Sequence, residues 1–336
     1  MIQVERMRSG AVSVTCSVSG GKDSAATALY LRELSIPYRA VFADTGWESE
    51  ETYTYIAEVL QPAIGPIETV RADIQVQPER MALVEEVEAI LGISPSAMVR
   101  ACVREAAFPS HAAKFCTRML KIAPIRDFHH RMMEVDTRTI VSCVGIRASE
   151  SEARSHYPEW EVDAGLDVIR WSPILSWTEQ EVADIHRRHR IPPNPMYLRG
   201  APRVGCHPCI HARKSQFALL DARRVDAIRR LEAGLLALAE VAGRGPGTSY
   251  TDRRGREVVR HAPTWAAGDG RTPTALPRNP PIDVVMAWAE GTVGDIGVWA
   301  SDRVDGLDSD DQASGGCARW GLCERPGGQL TIWDKR

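Results

Sequence analysis

Apolar and polar positions alternate between Val12 and Val18, with Val12, Val14, Cys16 and Val18 on one side of a two-residue period. That pattern predicts a buried strand. The following AATALYLREL reads as a helix to about Leu34, broken by Ile36-Pro37. A second strand is expected over 39–44 (RAVFAD) and a third over 67–73 (IETVRAD). Residues 79–110 are mostly helical in pattern and polar. A strand near the start of 138–151 (RTIVSCVGIRASES) runs into a glycine-containing loop, and 167–189 reads strand, turn, helix. In that helix Thr178 is the N-cap and Glu181 completes a capping box. Strands separated by helices predict an α/β fold with a mostly parallel sheet. Beyond them lie a helix pair at 211–241, an irregular Gly-, Pro- and Arg-rich stretch at 242–281, a short helix at 282–290 and an acidic stretch at 301–316. We therefore expect a first unit over 1–215 and a helical, irregular second unit over 216–336.

The junction between the first strand and its helix carries the chemistry. Ser19-Gly20-Gly21-Lys22-Asp23-Ser24 follows the strand directly. Two glycines let the backbone bend close to a ligand and turn successive N–H groups toward it. The helix start adds donors and the positive end of its dipole. Ser19 and Ser24 supply hydroxyls and Lys22 a charge for a phosphate oxygen. The GxxxxGK[ST] spacing of a Walker loop is absent. At the end of the second strand, Asp44-Thr45-Gly46 falls beside this loop if the two strands are parallel.

Composition adds limits. The chain has 336 residues, formal net charge −3 and 25% charged residues. No global positive field draws in nucleic acid, although a local basic face remains open, with 211–230 and 242–261 the candidates. The N-terminus lacks a signal-peptide core and no apolar run spans a bilayer, so a cytoplasmic location without a membrane partner is expected.

Eight cysteines in such a chain point to metal, catalysis or burial rather than a disulfide framework. Cys102 and Cys143 read as core residues. Cys116 precedes Arg118 and Lys121, one helical turn apart, which would favour a thiolate or hold an anionic ligand. Cys206 and Cys209 form a C-x-x-C pair suited to one ion, zinc or iron–sulfur, with a thioredoxin-like redox pair as the rival reading. Gly145-Ile146-Arg147 follows a strand end, where Arg147, with Arg154 nearby, could neutralise phosphate or sulfonate oxygens. Cys317 and Cys323 lie in a glycine-containing tail.

SGGKDS resembles the pyrophosphate-binding loop of the PP-loop ATP pyrophosphatases. The sequence over roughly 10–215 is similar to PAPS reductases, through ADTGWESEET, FCTRMLKIAPI, GIR and RVGCHPC in that order. The resemblance implies a doubly wound, mostly parallel five-stranded sheet with helices on both faces, and ATP or APS/PAPS across its C-terminal edge. It implies phosphate contacts from Ser19–Ser24, Gly145 and Arg147, with Arg118 and Lys121 near the anion. Asp44 and Thr45 would meet ribose or base. Lys22, Asp23, Arg147 and Cys323 are the expected catalytic residues, with Asp23 the candidate Mg²⁺ ligand where the nucleotide is ATP. It also implies a [4Fe–4S] cluster on Cys116, Cys206 and Cys209, with Cys323, Cys317 or Cys102 as fourth ligand. Two departures stand out. Thr117 replaces the second cysteine of the family's Cys-Cys pair, and GLCERPGG does not match the reductase tail. These favour ATP-dependent sulfur transfer to an acceptor such as nucleic acid over reduction of APS or PAPS to sulfite. The expected partners are the nucleotide, a sulfur or electron donor protein and a second copy of the chain. A non-catalytic nucleotide- or nucleic-acid-binding module with structural zinc is the reading from outside the enzyme class.

Overall fold

The computed structural model describes residues 2–110, 113–251, 255, 257–260, 263–264 and 281–291. Among these, β1 (Ser13–Val18), β2 (Arg39–Asp44), β3 (Ile67–Arg71), β4 (Ile140–Cys143), β5 (Trp160–Asp163) and β6 (Val168–Trp171) form one sheet. Its order is β3-β2-β1-β4-β6-β5, parallel throughout except for β5 on β6. The mostly parallel α/β sheet is as expected, with an antiparallel edge strand beyond the five foreseen. That strand is only WEVD, and its Val162 is 80% exposed. A half-solvated edge carries too little apolar pattern to be read from sequence.

β1 and β4 at the centre are almost wholly buried because helices cover both faces. On one face the helix Lys22–Glu33 packs on the helix Glu179–Arg188, and Val14, Cys16, Leu29 and Ile185 share a core. Ala25, Ala26 and Ala28 give the first of these helices high intrinsic propensity and a slim buried face. On the other face the helix Ala123–Val135 covers β2 and β3, setting Phe128 and Met132 against Val41 and Val70. The alternation of Val41 with Ala40 and Phe42 between the two cores follows from the strand's two-residue period.

A third core surrounds Trp47. It joins Val84 and Val87 of the helix Met81–Leu91, Met98 and Val103 of Ala97–Glu105, Ile228 and Leu231 of Ala222–Val241, and Val285 of Ile282–Ala289. Segments on both sides of residue 215 thus share apolar packing. Within 242–281, read as irregular, Ser249–Thr251 and Glu257–Val259 pair as a small antiparallel ladder. Among the described residues no helix is long and apolar enough to cross a membrane.

The connectivity decides where a ligand can sit. From β1 the chain moves outward to β2 and β3, then returns to β4 on the other side of β1. The loops after β1 and β4 therefore lie side by side at the C-terminal edge, at the switch point where open α/β sheets bind ligands.

Candidate functional site

Gly20 begins the turn after β1 with φ +75°, a left-handed conformation that costs glycine nothing. A Cβ there would stand 2.7 Å from Thr52 Cγ2, so the turn also needs the space. Ser24 Oγ donates to the Gly21 carbonyl at 2.9 Å and accepts from the Ser19 amide at 3.1 Å, tying the loop into a ring. The sequence reading expected the helix start to offer free donors. In the structure the Lys22 amide is already taken, donating to Tyr197 Oη at 3.1 Å. The amides of Gly20 and Gly21 make no hydrogen bond among the described residues and remain available to an anion.

The loop is held from the second half of the chain. Asn194 Nδ2 donates to the Gly20 carbonyl at 3.1 Å, and His186 Nε2 lies 2.9 Å from the Lys22 carbonyl. Burial lowers the pKa of His186, favouring the neutral ring. Lys22 Nζ lies 5.2 Å from the centroid of the buried Tyr197 ring and 3.0 Å from Glu179. Asn194 and Tyr197 both come from the Pro-rich segment IPPNPMYLRG. Tyr197, Asn194, His186 and Glu179 carried no recognisable spacing in the sequence.

Gly145 explains why the neighbouring loop has its sequence. A Cβ on it would be 2.6 Å from Asp23 C, Asp23 O and Ser24 N, so the chain after β4 lies directly on the first turn of the helix. This contact brings Arg147 to Asp23, Nε donating to Oδ1 at 2.5 Å. Arg147 Nη1 also donates to Ser149 Oγ at 2.9 Å. Burial raises the Asp23 pKa, against the lowering fields of Lys22 and Arg147. Arg154, by contrast, pairs with Glu150.

Asp44 and Thr45 turn inward. Asp44 Oδ1 accepts from the Gly46 amide and from Tyr53 Oη, both at 2.8 Å, and Oδ2 accepts from Arg71 Nε at 3.0 Å. Thr45 Oγ1 donates to Glu48 Oε1 at 2.8 Å. Glu48, which the sequence reading passed over, is a buried carboxylate that also accepts from Tyr53 Oη at 3.0 Å. It pairs by backbone bridge with Cys206, whose Sγ lies 3.9 Å from Oε1.

Glu48 thereby links the sheet edge to the thiols. Cys116, Cys206 and Cys209 are all half-buried free thiols, and Cys209 lies within electrostatic reach of the other two. Burial pushes the Cys206 thiol up to about 12, opposed by the Lys121 ammonium. The Cys206 and Cys209 thiols and Glu48 in turn raise the pKa of Lys121, with Cys206 the largest contributor. Arg118 is exposed. The helix carrying Arg118 and Lys121 is π-helical over Arg118–Ile122, with a wider turn than an α-helix. Cys102 and Cys143 are fully buried with raised thiol pKa values, as core cysteines should be. Cys317 and Cys323 lie outside the described residues. Three neighbouring thiols facing a lysine suit an anionic sulfur-ligated centre in kind. Yet among the described residues no group of three or more His, Cys, Asp or Glu side chains is arranged to hold a metal ion.

Comparisons with known proteins give the family. Residues 13–212 match the model of the phosphoadenosine phosphosulfate reductase domain. An uncharacterised 37.8 kDa protein of Escherichia phage 186 is 36% identical over 262 residues, covering 70% of this chain and 78% of the phage protein. The adenosine 5'-phosphosulfate reductase of Allochromatium vinosum is 34% identical over 103 residues, 30% of this chain and 37% of the reductase, so well under two thirds of that enzyme is spanned. A crystal structure of PAPS reductase from Candida auris in a phosphate complex aligns with TM-score 0.40 at 15% identity, over 61% of this chain and 86% of that one. The match from β1 through the C-x-x-C pair covers well over half of the sequence: the chain belongs to the phosphoadenosine phosphosulfate reductase domain family.

Proposed function

We infer that the protein is a cytoplasmic adenosine-nucleotide-dependent enzyme of sulfur chemistry, transferring sulfur to an acceptor such as a nucleic acid after ATP-dependent activation. The observation that carries this reading is the adjacency of two half-sites. A Cβ on Gly21 would lie 3.6 Å from the Val204 carbonyl, so the chain two residues before Cys206 roofs the phosphate loop. An anion on the Gly20 and Gly21 amides would sit beside Lys22 on one side and the thiols on the other.

In this reading the nucleotide phosphates rest on the loop and Lys22 balances the charge that develops at phosphorus. Arg147 fixes the Asp23 carboxylate, which faces the same edge and is the candidate Mg²⁺ ligand for ATP. Cys116, Cys206 and Cys209 are the residues that would hold an iron–sulfur cluster, with the fourth ligand expected from the tail or Cys102. When bound, such a cluster would supply an electron-transfer or sulfur-accepting centre. Lys121 then offsets its negative charge, and the buried Glu48 orients the Cys206 segment through the bridge.

Reduction of APS or PAPS to sulfite is the second reading, favoured by the match to the Allochromatium enzyme. Product analysis of anaerobically purified protein separates the two. Sulfur transfer predicts AMP and pyrophosphate from ATP in the presence of acceptor. Reduction predicts sulfite and an adenosine phosphate. Iron and sulfide stoichiometry should fall in Cys116→Ser and Cys206→Ser. A zinc-only protein that forms no products from any of these nucleotides would support a binding module instead.

A further inference from the structure

Most cations around the loop are matched by a carboxylate. Lys22 is paired with Glu179 and Arg147 with Asp23. Arg203 differs: its guanidinium is exposed and makes no hydrogen bond or ion pair among the described residues. Its own carbonyl accepts from Gln216 Nε2 at 3.3 Å, which anchors the backbone while leaving the side chain unengaged. The next residue, Val204, places its carbonyl over Gly21, and Cys206 bridges to Glu48. Arg203 therefore stands where the phosphate loop meets the thiols.

Its neighbours sharpen the point. Arg203 lies within electrostatic reach of Lys121, whose ammonium it disfavours, and of Tyr197, the residue that holds the Lys22 amide. Lys121 likewise has no ion pair among the described residues. Lys121 has the thiols and Glu48 about it to offset its charge, whereas Arg203 has no carboxylate in contact among the described residues, so an anion between the loop and the thiols meets its unmatched charge at Arg203.

The geometry points to Arg203 as a specificity-determining residue that binds the anionic group of the nucleotide lying beyond its α-phosphate, on the thiol side of the loop. This rests on the nucleotide reading above and narrows it. The ligand class is an adenosine nucleotide with a second anionic group in line, such as the terminal phosphates of ATP or the sulfonate of APS. A nucleoside monophosphate would fill only the Gly20–Gly21 half.

Calorimetric titration of ATP, APS and AMP into wild type, Arg203→Gln and Arg203→Lys tests it. The Arg203 side chain is exposed and makes no hydrogen bond or ion pair among the described residues, so its variants should keep the wild-type melting temperature. Loss of one charge-assisted contact should weaken at least one of ATP and APS by about tenfold in Arg203→Gln while AMP changes less than about twofold. Arg203→Lys should recover part of the loss, because a point charge replaces a planar fork. Equal weakening of all three ligands, or no change in any, overturns the role assigned to Arg203 while leaving the nucleotide site standing. Wild-type protein that binds none of the three removes the nucleotide reading itself, and this inference with it.

Discussion

The buried pair between Arg147 and Asp23 ties the β4 loop to the head of the first helix, and its removal has a calculable cost. The two side chains are 7% and 16% exposed, so solvent screens them little. Arg147→Met would strip the guanidinium and leave the Asp23 carboxylate buried without its partner. Breaking such a pair from one side costs about 3–5 kcal/mol. At roughly 2–4 °C per kcal/mol, a loss of ~3 kcal/mol lowers Tm by about 6–12 °C. The pH dependence gives a second handle. Burial raises the Asp23 pKa in the folded chain, so the native state holds this proton more tightly than the unfolded state. Its stabilising effect is full below the ordinary carboxyl value and is lost as pH rises through the raised one. Without Arg147 the pKa rises further, so the defect of Arg147→Met should be larger at pH 8 than at pH 5. Urea unfolding followed by tryptophan fluorescence, on wild type, Arg147→Met, Asp23→Asn and the double variant, measures all of this. The double variant should be more stable than the sum of the singles implies. A midpoint for Arg147→Met unchanged at pH 8, or strict additivity, would refute the reasoning.

Other substitutions probe the loop more locally. Gly20→Ala must place an L-residue at φ +75° with its Cβ against Thr52, at a strain of about 1–2 kcal/mol before the clash is counted, and anion affinity should collapse with only a partial loss of Tm. Gly145→Ala sets a Cβ 2.6 Å from the backbone of Asp23 and Ser24, so both stability and binding should fail by calorimetry and thermal melting. Tyr197→Phe keeps the ring beneath Lys22 but removes the acceptor of the Lys22 amide; a loss of about 1 kcal/mol in stability is expected, with an altered anion affinity read by the same titration. Thr178→Ala removes the capping box of the helix that carries Glu179 and His186, costing about 1 kcal/mol by urea titration, and anion affinity should fall with it because both residues hold Lys22.

Much of this architecture was legible in the sequence because local and global signals coincide. β1, the alanine-rich helix and the SGGKDS turn each obey a short-range rule, and the Thr178 capping box appears where Glu181 predicts it. Gly145 and Arg147 were legible as a motif, although the steric reason for the glycine required the helix backbone 2.6 Å away. The residues that hold the loop were not legible. Asn194, Tyr197 and His186 act from more than 160 positions downstream, and no period or spacing encodes such a contact. Glu48 looks like one more acid in a polar run, and only the fold buries it between Thr45, Tyr53 and Cys206. The π-helical turn at Arg118–Ile122, where a regular helix was expected to carry Arg118 and Lys121, is not announced by the side-chain pattern.

The account is tested most directly by a crystal structure with a non-hydrolysable ATP analogue or APS bound. The loop reading predicts phosphate oxygens on the Gly20 and Gly21 amides with Lys22 Nζ turned to them, and the distal anionic group toward Arg203 and the thiols. A nucleotide lodged elsewhere, for example in the cleft of about 250 Å³ between His207, Arg199 and Arg224, with the loop amides bare, would contradict it.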